Sequence, residues 1–241
     1  MRLLTGTSGY SYKEWLGCFY PEKLPATEML RYYAQHFQTV EINNTFYRMP
    51  PTSMLTQWTE QVPDHFTFTL KAPRRITHDN RLHDAESNVA EFVRRADLLG
   101  SKLGVLLFQL PPYLKKDLPR LEAFLGLFPP GKRIAFEFRN ASWQDDTVYE
   151  ALRSRGAILC VTDTDEGDTP FIVTSDWGYL RLRRTHYDDD ELRAWAARVA
   201  EKSVVQTYVY FMHEDEALGT RFAQRLNELW AERSPTVAPT A

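Results

Sequence analysis

The sequence predicts an α/β chain closed into one (β/α)8 barrel of the TIM type, and three observations carry that expectation. Short apolar strands alternate with amphipathic helical stretches along almost the whole chain. Eight such strands can be counted, nearly all followed by a helix. The length, 241 residues, suits one barrel, because barrels of this type run to about 250 residues as one domain.

Residues 3–8 form the expected first strand, followed by a long loop through Trp15 and Phe19-Tyr20-Pro21. Thr27 is placed to cap the first helix, whose Leu30, Tyr33, Ala34 and Phe37 follow the spacing of one buried face. Strand two covers residues 39–43 and leads to a helix carrying Met54, Leu55 and Trp58. Strand three is 66–71; its helix sets Val89, Phe92, Val93, Ala96 and Leu99 on one side and ends at Gly100. Residues 104–109 make strand four, and Leu118, Leu121 and Leu125 mark the helix behind it. Strand five is 133–138, with Val148 and Leu152 on its helix, and strand six is 157–163. Residues 165–177 have loop character, so the connection between strands six and seven is expected to be irregular. Strand seven spans 179–183, and its helix opens on a capping-box pattern, Asp188-Asp189-Asp190-Glu191, before Leu192, Trp195, Ala196 and Val199. Strand eight is 206–211, followed by a helix with Phe222, Leu226, Leu229 and Trp230. One domain over residues 1–233 results, with residues 234–241 read as a frayed tail. A doubly wound open sheet competes with this, but no Gly-x-Gly-x-x-Gly or P-loop follows any strand.

Composition narrows the function classes. Hydrophobic residues make up 43% and charged residues 25%, values ordinary for a globular chain, and the net charge of −3 argues against a general nucleic-acid or membrane-surface binder. Cys18 and Cys160 provide neither a disulfide framework nor zinc spacing. No signal-peptide pattern or membrane-length apolar run occurs, so a cytoplasmic location is expected.

The strand faces carry the functional signal. Buried parallel strands usually read as continuous aliphatic runs. Here Val40 and Ile42 oppose Glu41 and Asn43, Phe68 and Leu70 oppose Thr69 and Lys71, Phe136 and Phe138 oppose Glu137 and Arg139, and Leu180 and Leu182 oppose Arg181 and Arg183. With the apolar faces against the helices, the charged faces turn inward, near the carboxyl ends of the strands where barrel active sites sit. Gln109 and Asp163 end strands four and six and join the same set. The competing explanation is an interior filled by mutually satisfied ion pairs with no ligand at all.

Several segments together resemble a known family. They are Gly6-Thr7-Ser8-Gly9-Tyr10-Ser11-Tyr12, Phe19-Tyr20-Pro21, the run from Val40 to Pro50, and Lys71-Ala72-Pro73-Arg74-Arg75-Ile76-Thr77-His78. Further along come Gln109-Leu110-Pro111-Pro112, Phe136-Glu137-Phe138-Arg139 with Ser142-Trp143, and Asp163. Their order and coverage resemble the YecE-like family, domain of unknown function 72. The resemblance implies a TIM-type barrel and no established reaction, cofactor or catalytic residue. Two departures stand out against that family's pattern: Arg183-Arg184 replaces a His-Gly, and Met212-His213-Glu214-Asp215 replaces paired asparagines.

Several chemistries fit these residues. Glu41 and Glu137 are candidates for a glycosidase-like carboxyl pair, which needs a separation of about 5–9.5 Å. Lys71 could form a Schiff base if desolvated, although Glu41 on the adjacent strand is expected to hold it protonated in an ion pair. Glu41, Glu137 and Asp163 with His78 or His213 could form a metal site. Arg48, Arg74, Arg75, Arg139, Arg181 and Arg183 could grip a phosphate or carboxylate. Tyr10, Tyr12, Trp15, Phe46, Tyr47 and Trp143 could stack on a ligand or simply pack the mouth. The expectation is therefore an enzyme for a small, polar, anionic substrate, with Glu41, Glu137 and Lys71 catalytic. Asn43, Tyr47, Arg48, His78, Gln109, Arg139, Trp143, Asp163, Arg181 and Arg183 are expected around the substrate. A non-catalytic small-ligand binding module and a metal-dependent nuclease-like barrel are the alternatives. The sequence requires no cofactor and leaves the oligomeric state open.

Overall fold

The computed structural model describes residues 1–212 and 215–233; His213 and the expected tail at 234–241 lie outside the described residues. The chain runs β1 (Arg2–Thr7), α1 (Met29–His36), β2 (Thr39–Ile42), α2 (Thr52–Gln61), β3 (Thr67–Lys71), α3 (Glu86–Ala96), β4 (Leu103–Leu110) and α4 (Leu118–Leu125). It continues through β5 (Ile134–Phe138), α5 (Asp146–Arg153), β6 (Ile158–Leu159), β7 (Val161–Thr164), β8 (Gly167–Asp168), β9 (Trp177–Leu182), α6 (Asp189–Ala200), β10 (Gln206–Phe211) and α7 (Leu218–Arg233).

The strands form two five-stranded sheets, in the orders β1-β10-β9-β7-β8 and β2-β3-β4-β5-β6. Every pairing is parallel except that of β7 with β8. β6 and β7 are halves of one stretch interrupted at Cys160, whose N–H donates to Phe136 O at 2.8 Å. The first half pairs with β5 and the second with β9. Ser8, just after β1, forms a parallel bridge with Glu41 of β2. Gly6 permits this approach, because a Cβ there would lie 2.2 Å from Thr39 O.

Alternation along the strands divides the core in two. Val40, Ile42, Phe68, Leu70, Phe108, Phe136, Leu180 and Val209 pack with the apolar helix stripes, such as Val89, Phe92, Val93 and Ala96 of α3. Residues of the opposite parity, including Leu4, Val105, Leu107, Ala135, Ile158, Tyr179, Tyr208 and Tyr210, form a separate inner cluster. Within it the Tyr210 hydroxyl lies 2.6 Å from Thr39 Oγ1 and 2.8 Å from Thr69 Oγ1. On β4, β5 and β9 the inner parity turns polar toward the carboxyl end, where Gln109, Glu137 and Arg181 follow Leu107, Ala135 and Tyr179.

Several local expectations change. Thr27 does not cap α1; it sits in a 3-10 turn, Ala26–Glu28, closed by the backbone through Glu28 N–H to Pro25 O at 2.9 Å. α3 ends at Ala96, four residues before Gly100, which instead takes a left-handed φ of 55° in the 3-10 stretch Asp97–Lys102. Lys102 then caps α2 by donating to Thr59 O at 2.6 Å and Val62 O at 2.7 Å. The capping box of α6 is formed, with Glu191 N–H donating to Asp188 at 2.8 Å and Asp188 N–H donating to Glu191 at 3.0 Å. Between β7 and β9, where an irregular connection was expected, the chain makes the short antiparallel return of β8. Thr174 stitches this connection down by donating to Ala157 O at 2.8 Å and accepting from Leu159 N–H at 3.1 Å.

Candidate functional site

Strand parity delivers Glu41, Lys71, Gln109, Glu137 and Arg181 to the inner side, beyond the aromatic cluster. Arg181 is fully buried. Its Nη2 donates to Glu41 Oε1 at 2.9 Å, and its Nη1 donates to Glu137 Oε2. Because β9 belongs to one sheet and β2 and β5 to the other, this guanidinium ties the sheets together. Glu41 also accepts from Ser8 Oγ at 2.7 Å and from the Tyr179 hydroxyl. Burial, reinforced by Glu41, keeps Tyr179 protonated well above its ordinary range. Glu137 Oε1 accepts from Gln109 Nε2 at 2.7 Å and Arg139 Nε at 3.0 Å, with Arg183 Nη1 at 3.7 Å. Burial alone would raise the Glu137 carboxyl, but Arg181, Arg139 and Arg183 outweigh it and hold the group at about 2. A carboxylate held so low stays ionised near neutrality, so Glu137 does not suit the acid role of a glycosidase-like pair.

Lys71 departs from expectation. Its predicted ion pair with Glu41 is not made: the Glu41 oxygens are engaged by Arg181, Ser8 and Tyr179. Among the described residues the half-buried Lys71 ammonium has no hydrogen-bond or ion-pair partner, and it lies 4.5 Å from the centre of the Phe46 ring. Burial and then the neighbouring Arg181 charge lower it to about 8, despite the attraction of Glu41 and Glu137. Phe46 stands on a 3-10 turn, Asn44–Phe46, which Thr45 ties to the strands with Oγ1 2.9 Å from Ile42 O and 2.6 Å from Lys71 O.

The loop after β3 brings His78 to the same place. His78 lies on a single π turn, Arg75–Asp79, with Nδ1 2.9 Å from Thr77 Oγ1 and its ring centre 5.0 Å from that of Phe46. Burial, with the charges of Lys71 and Arg74, lowers its pKa and favours the neutral imidazole. The chain then takes left-handed φ values at three residues other than glycine, Arg81 (52°), Leu82 (68°) and Asp84 (43°). Such backbone strain is frequent beside functional sites.

Other predicted residues lie elsewhere. Asp163 is not part of the inner cluster. It faces outward with Val161 and accepts from Arg184 Nε at 2.6 Å, the Tyr187 hydroxyl at 3.0 Å and Trp195 Nε1 at 3.0 Å. Trp143 is buried as packing, its ring stacked on Phe138 at 4.7 Å and its N–H donating to Leu114 O at 2.8 Å. Tyr47 is 81% exposed. Asn43 and Arg48 instead line a cavity of about 610 Å³ whose apolar wall includes Tyr10, Tyr12, Met49, Met54 and Trp58. The helix pattern had assigned Met54 and Trp58 to packing; Pro50-Pro51 beside them was the available hint of a rigid rim. Among the described residues no three His, Cys, Asp or Glu side chains group as metal ligands.

The chain is 31% identical over 141 residues to the UPF0759 protein YecE of Escherichia coli K12, covering 56% of this chain and 52% of YecE. It is 29% identical over 186 residues to the UPF0759 protein YunF of Bacillus subtilis, covering 69% of this chain and 64% of YunF. The chain thus spans about half the length of YecE. A crystal structure of a DUF72 family protein from Thermotoga maritima is similar with a TM-score of 0.86 and 28% identity, covering 96% of this chain and 100% of that one. A second, from Enterococcus faecalis, shares the fold with a TM-score of 0.79 at 18% identity, covering 99% of each chain. The pattern of the family described as "Protein of unknown function DUF72" matches residues 4–241, and the chain belongs to that family.

Proposed function

We propose that this protein is an enzyme that binds a small anionic substrate at the carboxyl ends of its strands, inside a closed (β/α)8 barrel. Closure is supported by the continuity of β6 and β7 across both sheets and by the Ser8–Glu41 bridge. The observation that carries the ligand reading is an imbalance of charge. Among the described residues, Lys71, Arg139, Arg181 and Arg183 face only Glu41 and Glu137. Arg181 consumes attraction from both carboxylates, and the surplus rests on Lys71, Arg139 and Arg183. Surplus charge in a partly desolvated site calls for a counter-ion, and arginine suits a phosphate or carboxylate.

We place the organic part of such a molecule in the cavity walled by Tyr10, Tyr12, Met49 and Trp58, which adjoins the charged cluster through Asn43 and Ser8. Asn43 lines it, and Asn43 Oδ1 is buried with no hydrogen-bond partner among the described residues. Asn43 Nδ2 donates to Ser8 O at 3.5 Å, and the Ser8 hydroxyl donates to Glu41, which links cavity and charged cluster. Two free cysteines, Cys160 buried and Cys18 exposed, suit the reducing cytoplasm where we place the protein. No helix among the described residues is long and apolar enough to cross a membrane.

Thermal shift and calorimetry with inorganic phosphate, sugar phosphates and dicarboxylates test this reading. A ligand at a hundredfold excess over its Kd adds about 2.7 kcal/mol of stability, and the shift is expected to collapse in the Arg139→Gln, Arg183→Gln double variant. Absence of any shift, or an equal shift in that variant, would end the anion reading. Full engagement of both carboxylates favours a second reading, a binding module without turnover. An intact ligand released from purified protein, with no conversion of any bound anion, would point there.

A further inference from the structure

We propose that Lys71 is a nucleophile whose amine condenses with the carbonyl of an anionic aldehyde or ketone to form an imine. This deepens the anion reading and rests on it, with Arg139 and Arg183 holding the negative group while the carbonyl meets Nζ.

Imine formation needs an amine that is unshared, accessible and able to lose its proton. Four described lysines, Lys71, Lys102, Lys132 and Lys202, are partly or fully buried, and they differ on those terms: Lys132 is ion-paired with Asp97, and Lys202 lies over the Phe171 ring ahead of β10, at the amino end of that strand. Lys102 is held by two carbonyls, at 2.6 and 2.7 Å, and is spoken for. Lys71 stands at the carboxyl end of β3 with no polar partner among the described residues. The aromatic face of Phe46 shields it from water on one side, and the buried Arg181 charge disfavours its proton. The two carboxylates that might have quenched it are bound to arginines. Its lowered pKa, about 8, accords with this geometry and leaves a useful fraction of free amine near neutrality.

The condensation also needs a proton carrier. His78 touches the same Phe46 ring and is close enough to Lys71 to feel its charge. The Lys71 nitrogen lone pair attacks the carbonyl carbon, and the carbonyl pair moves to oxygen. Neutral His78 accepts the proton shed by nitrogen, and the imidazolium so formed delivers it to that oxygen. The carbinolamine next loses its hydroxyl with one proton, as water, while the second C–N bond forms. Amine and carbonyl go in, imine and water come out, and no electrons are transferred to or from an outside reagent.

The test is reductive trapping on the full-length protein. Wild type and Lys71→Arg are incubated with pyruvate, glyoxylate, dihydroxyacetone phosphate or glyceraldehyde 3-phosphate, reduced with sodium borohydride, and analysed by intact mass and peptide mapping. A single adduct on Lys71 with at least one probe, absent in Lys71→Arg and suppressed by inorganic phosphate, is the expected result. No adduct, or adducts spread over surface lysines at equal rates, would overturn the proposal. Lys71→Arg keeps the charge, and its phosphate-induced thermal shift reports independently on the anion site. A retained shift without trapping in wild type sinks the imine alone. Trapping on Lys71 that phosphate fails to suppress, with no phosphate shift in either protein, sinks the anion reading and leaves the nucleophile standing.

Discussion

Replacing Glu137 by glutamine removes one negative charge from beneath three arginines while nearly preserving shape. The carboxyl is held at about 2 against an ordinary 4.5, and a displacement of that size corresponds to about 3 kcal/mol of folding free energy at neutral pH. Breaking a buried ion pair from one side gives an independent figure of about 3–5 kcal/mol. Glu41 still holds Arg181 Nη2 in the variant, so the lower figure is the better expectation. The sign of the pH dependence follows from the lowered value. The folded carboxyl is the stronger acid, so its contribution is complete above the unfolded pKa near 4.5 and fades as pH falls toward 2. Urea denaturation of wild type and Glu137→Gln across that range is the assay. The gap between them should be about 3 kcal/mol at neutral pH and narrow steadily in acid. A gap below about 1 kcal/mol at neutral pH, or one that stays constant into acid, would refute the buried charge cluster as described.

Other outcomes follow from the same geometry. Asp163→Asn weakens the acceptor for Arg184, Tyr187 and Trp195 and should cost about 2–3 kcal/mol; anion affinity should not change, and a calorimetric loss would show that the two clusters act as one. Tyr210→Phe strands the Thr69 hydroxyl and takes one partner from that of Thr39, which keeps Thr67, for an expected loss of about 1–3 kcal/mol in chemical denaturation; an unchanged midpoint would count against that network. Anion affinity should fall as pH rises through about 8, where the Lys71 ammonium discharges, and the Lys71→Arg protein should give a flatter profile by calorimetry. Identical profiles for the two would remove Lys71 from the anion site.

Much of this arrangement was legible in the chain because four strands alternate strictly. Once Val40, Ile42, Phe136, Phe138, Leu180 and Leu182 are set against the helices, Glu41, Glu137 and Arg181 have only the inner side left. Strand six lacks that alternation. Its run Ala157-Ile158-Leu159-Cys160-Val161 is apolar throughout, so nothing assigns Thr162 and the neighbouring Asp163 to different faces. Lys71 was misjudged for another reason. Competition for the two oxygens of Glu41 comes from Ser8 and from Tyr179 and Arg181 of β9, far away in sequence. For Trp143 the chain leaves stacking on a ligand and packing of the mouth both open, because the carbonyl that receives its indole N–H, Leu114 O, belongs to a different loop. The aromatic cavity escaped notice because loops after two different strands and the flank of α2 combine to make it.

The linkage of both sheets through Arg181 bears on how the chain is assembled during synthesis. All strands of the sheet from β2 to β6 leave the ribosome before β9 does, and β1 must wait for β10 to find its pairing partner. Until then Glu41 and Glu137 have no guanidinium between them, and burying either is opposed by desolvation. A nascent chain ending before Arg181 should therefore remain loosely packed and open to protease. The late arrival of that one cation acts as a checkpoint, making consolidation of the early sheet depend on completion of the later one.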